Sequence, residues 1–215
     1  MALPASGNPI GFQQISDEFG DNDSSSLGGY RLRSGGATFP QSFPGGLSFS
    51  ALDTGIPTGT SDTDTIRFSD FYGKKLNIVV DFYSGGTEYR QNALTRYNGN
   101  SVTVIGGYAG KPNIPNGKKV YIHVNKLIGS DQNINHRNVA LTTGLFDFGS
   151  ELFVSVGTSG AIVGAGGKGG LGKKDAPGDN GVDGSSALGL LHAATIINNG
   201  RIQTGFGGGG GGSGA

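Results

Sequence analysis

A glycine rhythm late in the sequence limits the folds open to this chain. Gly164, Gly167 and Gly170 are spaced by three, as are Gly166, Gly169 and Gly172. Gly178, Gly181 and Gly184 repeat the interval, and an unbroken run follows from Gly207 to Gly212. Three residues per turn is the polyproline-II period, and glycine at every third position lets such helices pack backbone to backbone. Flexible linkers are also glycine-rich, but they need no period. Glycine packing is therefore expected at Gly164, Gly167, Gly170, Gly178, Gly181 and Gly184. The alternative for the segment is an unstructured tail.

An internal echo argues for built structure. Val156-Gly157-Thr158-Ser159-Gly160-Ala161-Ile162-Val163-Gly164-Ala165-Gly166-Gly167 resembles Ile197-Asn198-Asn199-Gly200-Arg201-Ile202-Gln203-Thr204-Gly205-Phe206-Gly207-Gly208. Each copy reads as a strand, a small turn ending in glycine, a second isoleucine-centred strand and a glycine-rich exit. The spacing from Gly160 to Gly200 is about one supersecondary unit. Two similar rungs are expected, each feeding a polyglycine arm.

Residues 76–156 read as β structure. Leu76-Asn77-Ile78-Val79-Val80-Asp81-Phe82-Tyr83, Ser101-Val102-Thr103-Val104-Ile105, Lys118-Lys119-Val120-Tyr121-Ile122-His123-Val124-Asn125 and Glu151-Leu152-Phe153-Val154-Ser155-Val156 are rich in β-branched and aromatic residues. Asn-Gly and Gly-Gly turns separate them, as in a sandwich or jelly-roll-like unit. Val120, Ile122 and Val124 alternate with Tyr121, His123 and Asn125, which predicts one wet face, as in antiparallel sheets. His123 is then expected at the surface. Tyr72, Tyr83, Tyr89, Tyr97, Tyr108 and Tyr121 either fill a core without tryptophan or offer stacking surfaces for sugar rings. The fold class is all-β.

Residues 1–75 are rich in Ser, Gly, Thr and Pro, with a second internal echo. Leu3-Pro4-Ala5-Ser6-Gly7 precedes Ile10-Gly11-Phe12-Gln13-Gln14-Ile15 and Phe19-Gly20; Ile56-Pro57-Thr58-Gly59 precedes Ile66-Arg67-Phe68-Ser69-Asp70-Phe71-Tyr72-Gly73. Phe12, Ile15 and Phe19 share one helical face, and Gly20 is a helix stop. Helices this short are marginal alone. Ile10, Phe12, Ile15, Phe19, Ile66, Phe68 and Phe71 are therefore expected to staple the chain to a sheet or a partner. The organisation expected is a docking segment over 1–75, a β domain over 76–156 and a glycine-rich region over 157–215.

Composition removes several functions. The 16 Lys+Arg balance 16 Asp+Glu, which argues against binding nucleic acid by phosphate neutralisation. With no cysteine there is no disulfide scaffold, thiolate metal site or cysteine nucleophile. The most apolar run, residues 188–197, is half the roughly 20 residues a membrane span needs. Gly164-Ala165-Gly166-Gly167-Lys168-Gly169 fits a dinucleotide fingerprint only because glycine is abundant, and no helix is expected after it. Gly172-Lys173-Lys174 lacks the hydroxyl of a P-loop. Asp21-Asn22-Asp23, Asp62-Thr63-Asp64 and Asp179-Asn180 offer oxygens to Ca²⁺ but match no calcium loop. His123, His136 and His192 lack ligand spacing. No catalytic residue, metal or cofactor is expected. A glycan-cleaving enzyme would need paired carboxylates, and the spacing of Asp81, Glu88 and Glu151 does not recommend them.

The N-terminal Leu3-to-Ile15 phrase and its echo at Ile66-to-Gly73 resemble the tailed-bacteriophage virion proteins of the fibre, tail-tip and adhesin kind. So do Ala140-Leu141-Thr142-Thr143-Gly144, Phe148-Gly149-Ser150 and the Ile196-to-Ile202 phrase before polyglycine. The resemblance implies a β-rich, non-enzymatic structural protein of the virion tail, made in the host cytoplasm. It implies attachment through the N-terminal part, exposure of a distal part to a host surface glycan or protein, and tail or baseplate partners. It also implies homotrimers, and glycine-rich rungs would draw backbone partners from sister copies. The other reading is a capsid decoration or cement protein with an extended glycine-rich arm.

Overall fold

The computed structural model describes residues 3–19, 27, 42–43, 47–48, 65, 67–73, 77–82, 86–98, 103–105, 119–131, 138–146 and 149–214. Helix α1 (Phe12–Phe19) is followed by a two-strand hairpin of β1 (Ser42–Phe43) and β2 (Leu47–Ser48), and by a 3-10 turn at Phe68–Phe71. Then come β3 (Asn77–Phe82), β4 (Glu88–Tyr89), β5 (Gln91–Asn92), α2 (Ala93–Asn98), β6 (Thr103–Ile105), β7 (Lys119–Val124), β8 (Leu127–Gly129) and β9 (Leu141–Thr142). The last seven strands are β10 (Glu151–Val156), β11 (Ala161–Val163), β12 (Lys173–Lys174), β13 (Leu188–Gly189), β14 (Ala194–Asn198), β15 (Arg201–Gln203) and β16 (Ser213–Gly214).

The strands wind as a coil with three faces. On the first face β3, β7, β10 and β14 lie side by side; on the second, β4, β8, β11 and β15; on the third, β5, β9 and β13. All these neighbours are parallel. A parallel neighbour needs a crossover, and one circuit of the coil supplies it. The expected sandwich or jelly roll, with its antiparallel pairing, is thus corrected to stacked parallel rungs. The antiparallel β6 on β3 is the exception on the first face.

Register decides the core. Val80 lies beside Ile122 and Ile122 beside Val154, and all three are fully buried. Phe82, Val124 and Val156 form a second such row, also fully buried. On the second face Ile128 and Ile162 are stacked and buried. Burying each such side chain stabilises the fold by about 1.5–3 kcal/mol.

The wet face predicted for β7 is corrected too. Tyr121 and His123 are buried along with Val120, Ile122 and Val124. β7 is an interior strand of a parallel sheet, and such strands are covered on both sides. On this second side Tyr121 stacks on Phe153 of β10, with ring centroids 4.8 Å apart.

A corner of the first rungs holds an ion network. Glu88 accepts from Arg96 Nη1 at 2.8 Å and from Lys126 Nζ, whose side chain is almost wholly buried. The Arg96 guanidinium also lies over the Phe82 ring at 4.3 Å. Nearby, α2 buries Tyr97 against Phe146, and burial pushes its phenol from 10.0 up to about 12.

Candidate functional site

The glycine-rich residues leave the coil as extensions of its rungs. From β11 an outgoing segment runs over residues 164–172. The chain turns and a return segment covers 178–185 before β13. From β15 a third segment covers 205–212 and ends at β16. Together they form an arm.

Three sets of backbone hydrogen bonds close the arm into a cycle. Gly164, Gly167 and Gly170 donate to the carbonyls of Gln203, Phe206 and Gly209 at 2.8, 2.7 and 2.8 Å. Gly205, Gly208 and Gly211 donate to Ser185, Val182 and Asp179 at 2.9, 2.8 and 2.8 Å. Asp179, Val182 and Ser185 donate back to Leu171, Lys168 and Ala165 at 2.9, 2.8 and 2.9 Å. Every bond recurs at an interval of three residues. A buried backbone amide needs a partner, and here one chain supplies it. The sister copies expected for that purpose are not required by these amides.

The same interval explains the glycines. A Cβ at Gly164, Gly167 or Gly170 would run into the carbonyl of Ser185, Val182 or Asp179. One at Gly178, Gly181 or Gly184 would run into the backbone of Gly211, Gly208 or Gly205. The structure brings all six sequence-predicted positions together. It adds Gly205, Gly208 and Gly211, which face the carbonyls of Ala165, Lys168 and Leu171. Gly208 and Gly211 were missed because the unbroken run from Gly207 shows no phase; the available signal was the interval of three from Gly205, which stands before Phe206.

The arm is fixed at both ends. At its base the hydroxyls of Ser130 and Ser185 bond to each other, and both accept from the Ala165 N–H at 2.7 Å. At its tip β12 pairs with β16, Lys173 beside Ser213. Lys173 also pairs with Asp179, and Asp175 takes the turn with φ 58°. Lys168, Leu171, Lys174 and Phe206 project outward, Phe206 being 77% exposed.

The N-terminal echo is brought together as well. The Phe12 and Phe68 rings meet edge to face at 4.9 Å, and Gly73 donates to the Pro4 carbonyl at 2.9 Å. Ile15 and Phe71 are buried in the core cluster, with Ile10 and Phe68 packed against it. Phe19 closes α1; Ile66 and Gly20 lie outside the described residues. The helix starts where the Gly11 N–H donates to Gln14 Oε1 at 2.9 Å, as in a capping box.

Other candidate positions disperse. Tyr97 and Tyr121 are buried, Tyr72 is half-buried and Tyr89 is exposed, while Tyr83 and Tyr108 lie outside the described residues. So do Asp21, Asp23, Asp62, Asp64 and His136. His123 lies in the core and not at the surface. Among the described residues no three of His, Cys, Asp and Glu are grouped to hold a metal. None of their helices is long and apolar enough to cross a membrane. The fingerprint-like 164–169 stretch is part of the arm and precedes no helix.

A family model for the phage tail fibre adhesin Gp38 matches residues 82–215, more than half of the chain. The chain belongs to that family. The match begins on the last residue of β3 and takes in the later rungs and the whole arm. This Gp38-family chain is a phage tail fibre protein involved in host attachment, and its place is the virion tail. The capsid reading gives way to that match. No curated protein and no solved structure matches the chain.

Proposed function

We propose that the chain acts as the host-contacting end of a tail fibre, with the arm as a rigid polyglycine-II projection. The observation that carries this reading is the closed cycle of backbone bonds at every third residue. A backbone satisfied in this way leaves Lys168, Leu171, Asn180, Asp183 and Phe206 of the arm exposed, free to vary without disturbing it. The tip, with Lys174 and Asp175 exposed, meets a glycan or protein of the host surface.

Residues 1–75 serve as the docking segment, residues 76–156 as the β domain and residues 157–215 as the projecting region. In the docking segment Ile15 and Phe71 are taken up by the chain's own core. Its attachment face is therefore the outer side of α1, where Gln13, Gln14 and Asp17 are exposed. It joins another tail or baseplate protein. The chain works by binding and not by catalysis, as befits an adhesin family. A cysteine-free chain is also suited to synthesis in a reducing host cytoplasm.

Purified chain, fluorescently labelled, tests the reading on the bacteria that the encoding phage infects. It is expected to bind the cells and to slow phage adsorption in proportion to dose. Lys174→Glu weakens cell binding, whereas Asp17→Arg on α1 leaves cell binding intact and reduces incorporation into tails. Absence of binding to susceptible cells would contradict the proposal.

A further inference from the structure

The outer wall of the second face carries an aromatic ring on a glycine seat. Glu88 lies beside Ile128, which is buried in the core, and Tyr89 lies beside Gly129. Tyr89 and Gly129 therefore face outward by the strand period of two. A Cβ at Gly129 would come within 3.1 Å of two carbons of the Tyr89 ring. The ring thus lies across β8 on bare backbone, and Tyr89 is still 55% exposed. Its main chain is held too, since Gln91 Nε2 donates to the Tyr89 carbonyl at 2.8 Å. A large ring packed on one side and open to water on the other is a ready stacking platform.

Arg90, next along the chain, has an unfavourable backbone conformation. Its φ is 47°, and among the described residues Arg90 and Asp175 are the two non-glycine residues with positive φ. Strain of this kind collects at binding sites and persists where the surroundings hold it. Two contacts hold it here. The Arg90 N–H donates to the Gly129 carbonyl at 2.9 Å, and Arg90 Nε pairs with Asp131 Oδ2 at 2.9 Å. Both side chains of that pair remain exposed. An exposed ion pair adds little to stability, so the fold gains little from the strain.

We propose that this wall is a saccharide-binding site, where a neutral, hydroxyl-rich polysaccharide of the host surface stacks a ring on Tyr89. The apolar face of a sugar ring matches the Tyr89 platform. A hydroxyl both donates and accepts, so a ring on the platform donates to Asp131 and accepts from Arg90. The Arg90–Asp131 pair has no net charge. A charged ligand would be drawn to one member and repelled by the other, which selects a neutral one. From Tyr89 the row runs by register through Gly129 and Val163 to Gln203. The Gln203 amide donates and accepts as well, and it takes a neighbouring ring. The site uses none of the residues at the arm's tip; only the host origin of the polysaccharide rests on the adhesin reading above.

Titrating the full chain with lipid-free polysaccharide purified from the host bacterium tests this, read by calorimetry and saturation-transfer NMR. Wild type is expected to bind saturably and to keep its affinity in high salt, because net charge does not drive the contact. Tyr89→Ala lowers the affinity about three- to tenfold, with the far-ultraviolet spectrum unchanged. Tyr89→Phe keeps the stacking and most of the affinity. Leu145→Ala, at an exposed position that follows β9 on the third face, binds as wild type does. Binding to cells without binding to the polysaccharide would overturn this site and leave the adhesin reading standing. Polysaccharide binding lost in Tyr89→Ala, by a chain that does not bind cells, would uphold the site and contradict that reading. Equal affinity of wild type and Tyr89→Ala, or loss of binding in high salt, would overturn the proposal. So would Tyr89-dependent binding to host surface protein freed of polysaccharide, with none to the polysaccharide itself.

Discussion

The backbone N–H of Gly167 donates to the carbonyl of Phe206 at 2.7 Å, joining the arm's outgoing segment to the segment that leaves the next rung. That bond is one of a set repeated at every third residue, and it exists only because Gly167 can lie against the carbonyl of Val182. Glycines with the same spacing but no such neighbour have a different status.

Gly170→Ala and Gly209→Ala separate the two classes. A methyl at Gly170 is forced into Asp179, whereas one at Gly209 meets nothing within 4 Å. Overpacking of this kind costs about 1–3 kcal/mol. Gly170→Ala is expected to lower the free energy of unfolding measured in urea by that order, and Gly209→Ala to stay within about 0.5 kcal/mol of wild type.

The coil depends on its inward rows. Ile122 is fully buried between Val80 and Val154. Ile122→Ala leaves a cavity in the middle of the row and is expected to cost about 2–5 kcal/mol in equilibrium unfolding.

Glu88 holds two cations at the coil corner. Glu88→Gln leaves the nearly buried Lys126 and the half-shielded Arg96 without their shared carboxylate. A fully buried pair broken in this way costs roughly 3–5 kcal/mol. Glu88 keeps a quarter of its exposure, so the expected loss is about 2 kcal/mol. Comparing Glu88→Gln with wild type in urea titrations at low and high salt measures it.

Tyr97 gives the fold an alkaline limit. Its phenol is raised from 10.0 to about 12 by burial. Below pH 10 both folded and unfolded chains keep it protonated, so nothing is lost. Between pH 10 and about 12 only the unfolded chain ionises, and stability falls by about 2–3 kcal/mol in total. Tyr97→Phe is expected to remove this part of the decline when both proteins are unfolded by urea across that range.

Much of this architecture was legible in the residues. The sequence expectation for 151–156 coincides with β10, and that for residues 118–125 takes in β7 with one residue more at each end. The echo that aligned Gly160 with Gly200 is the true register of β11 on β15, Ala161 beside Arg201. Upstream the register moves by two, Val156 lying beside Asn198. Four residues join β10 to β11 and two join β14 to β15, a difference that aligning glycines alone does not reveal. Strand direction was not legible. A period of two in residues 119–124 fits an antiparallel strand with a wet face and an interior parallel strand alike, and only the burial of His123 and Tyr121 decides. The rhythm in 164–184 announced close backbone contact, but not that the partners would lie in the same chain. That depends on a turn at residues 173–177 and on a later rung returning alongside, both long-range facts.

Amide hydrogen exchange resolved by residue, on the intact chain, tests the arm most directly. Residues 164, 167, 170, 179, 182, 185, 205, 208 and 211 donate the arm's backbone bonds. Their amides are expected to be protected at an interval of three, with 166, 169, 207 and 210 exchanging faster between them. Uniform rapid exchange across 164–212 would contradict the account and leave a β coil carrying a loose glycine-rich chain.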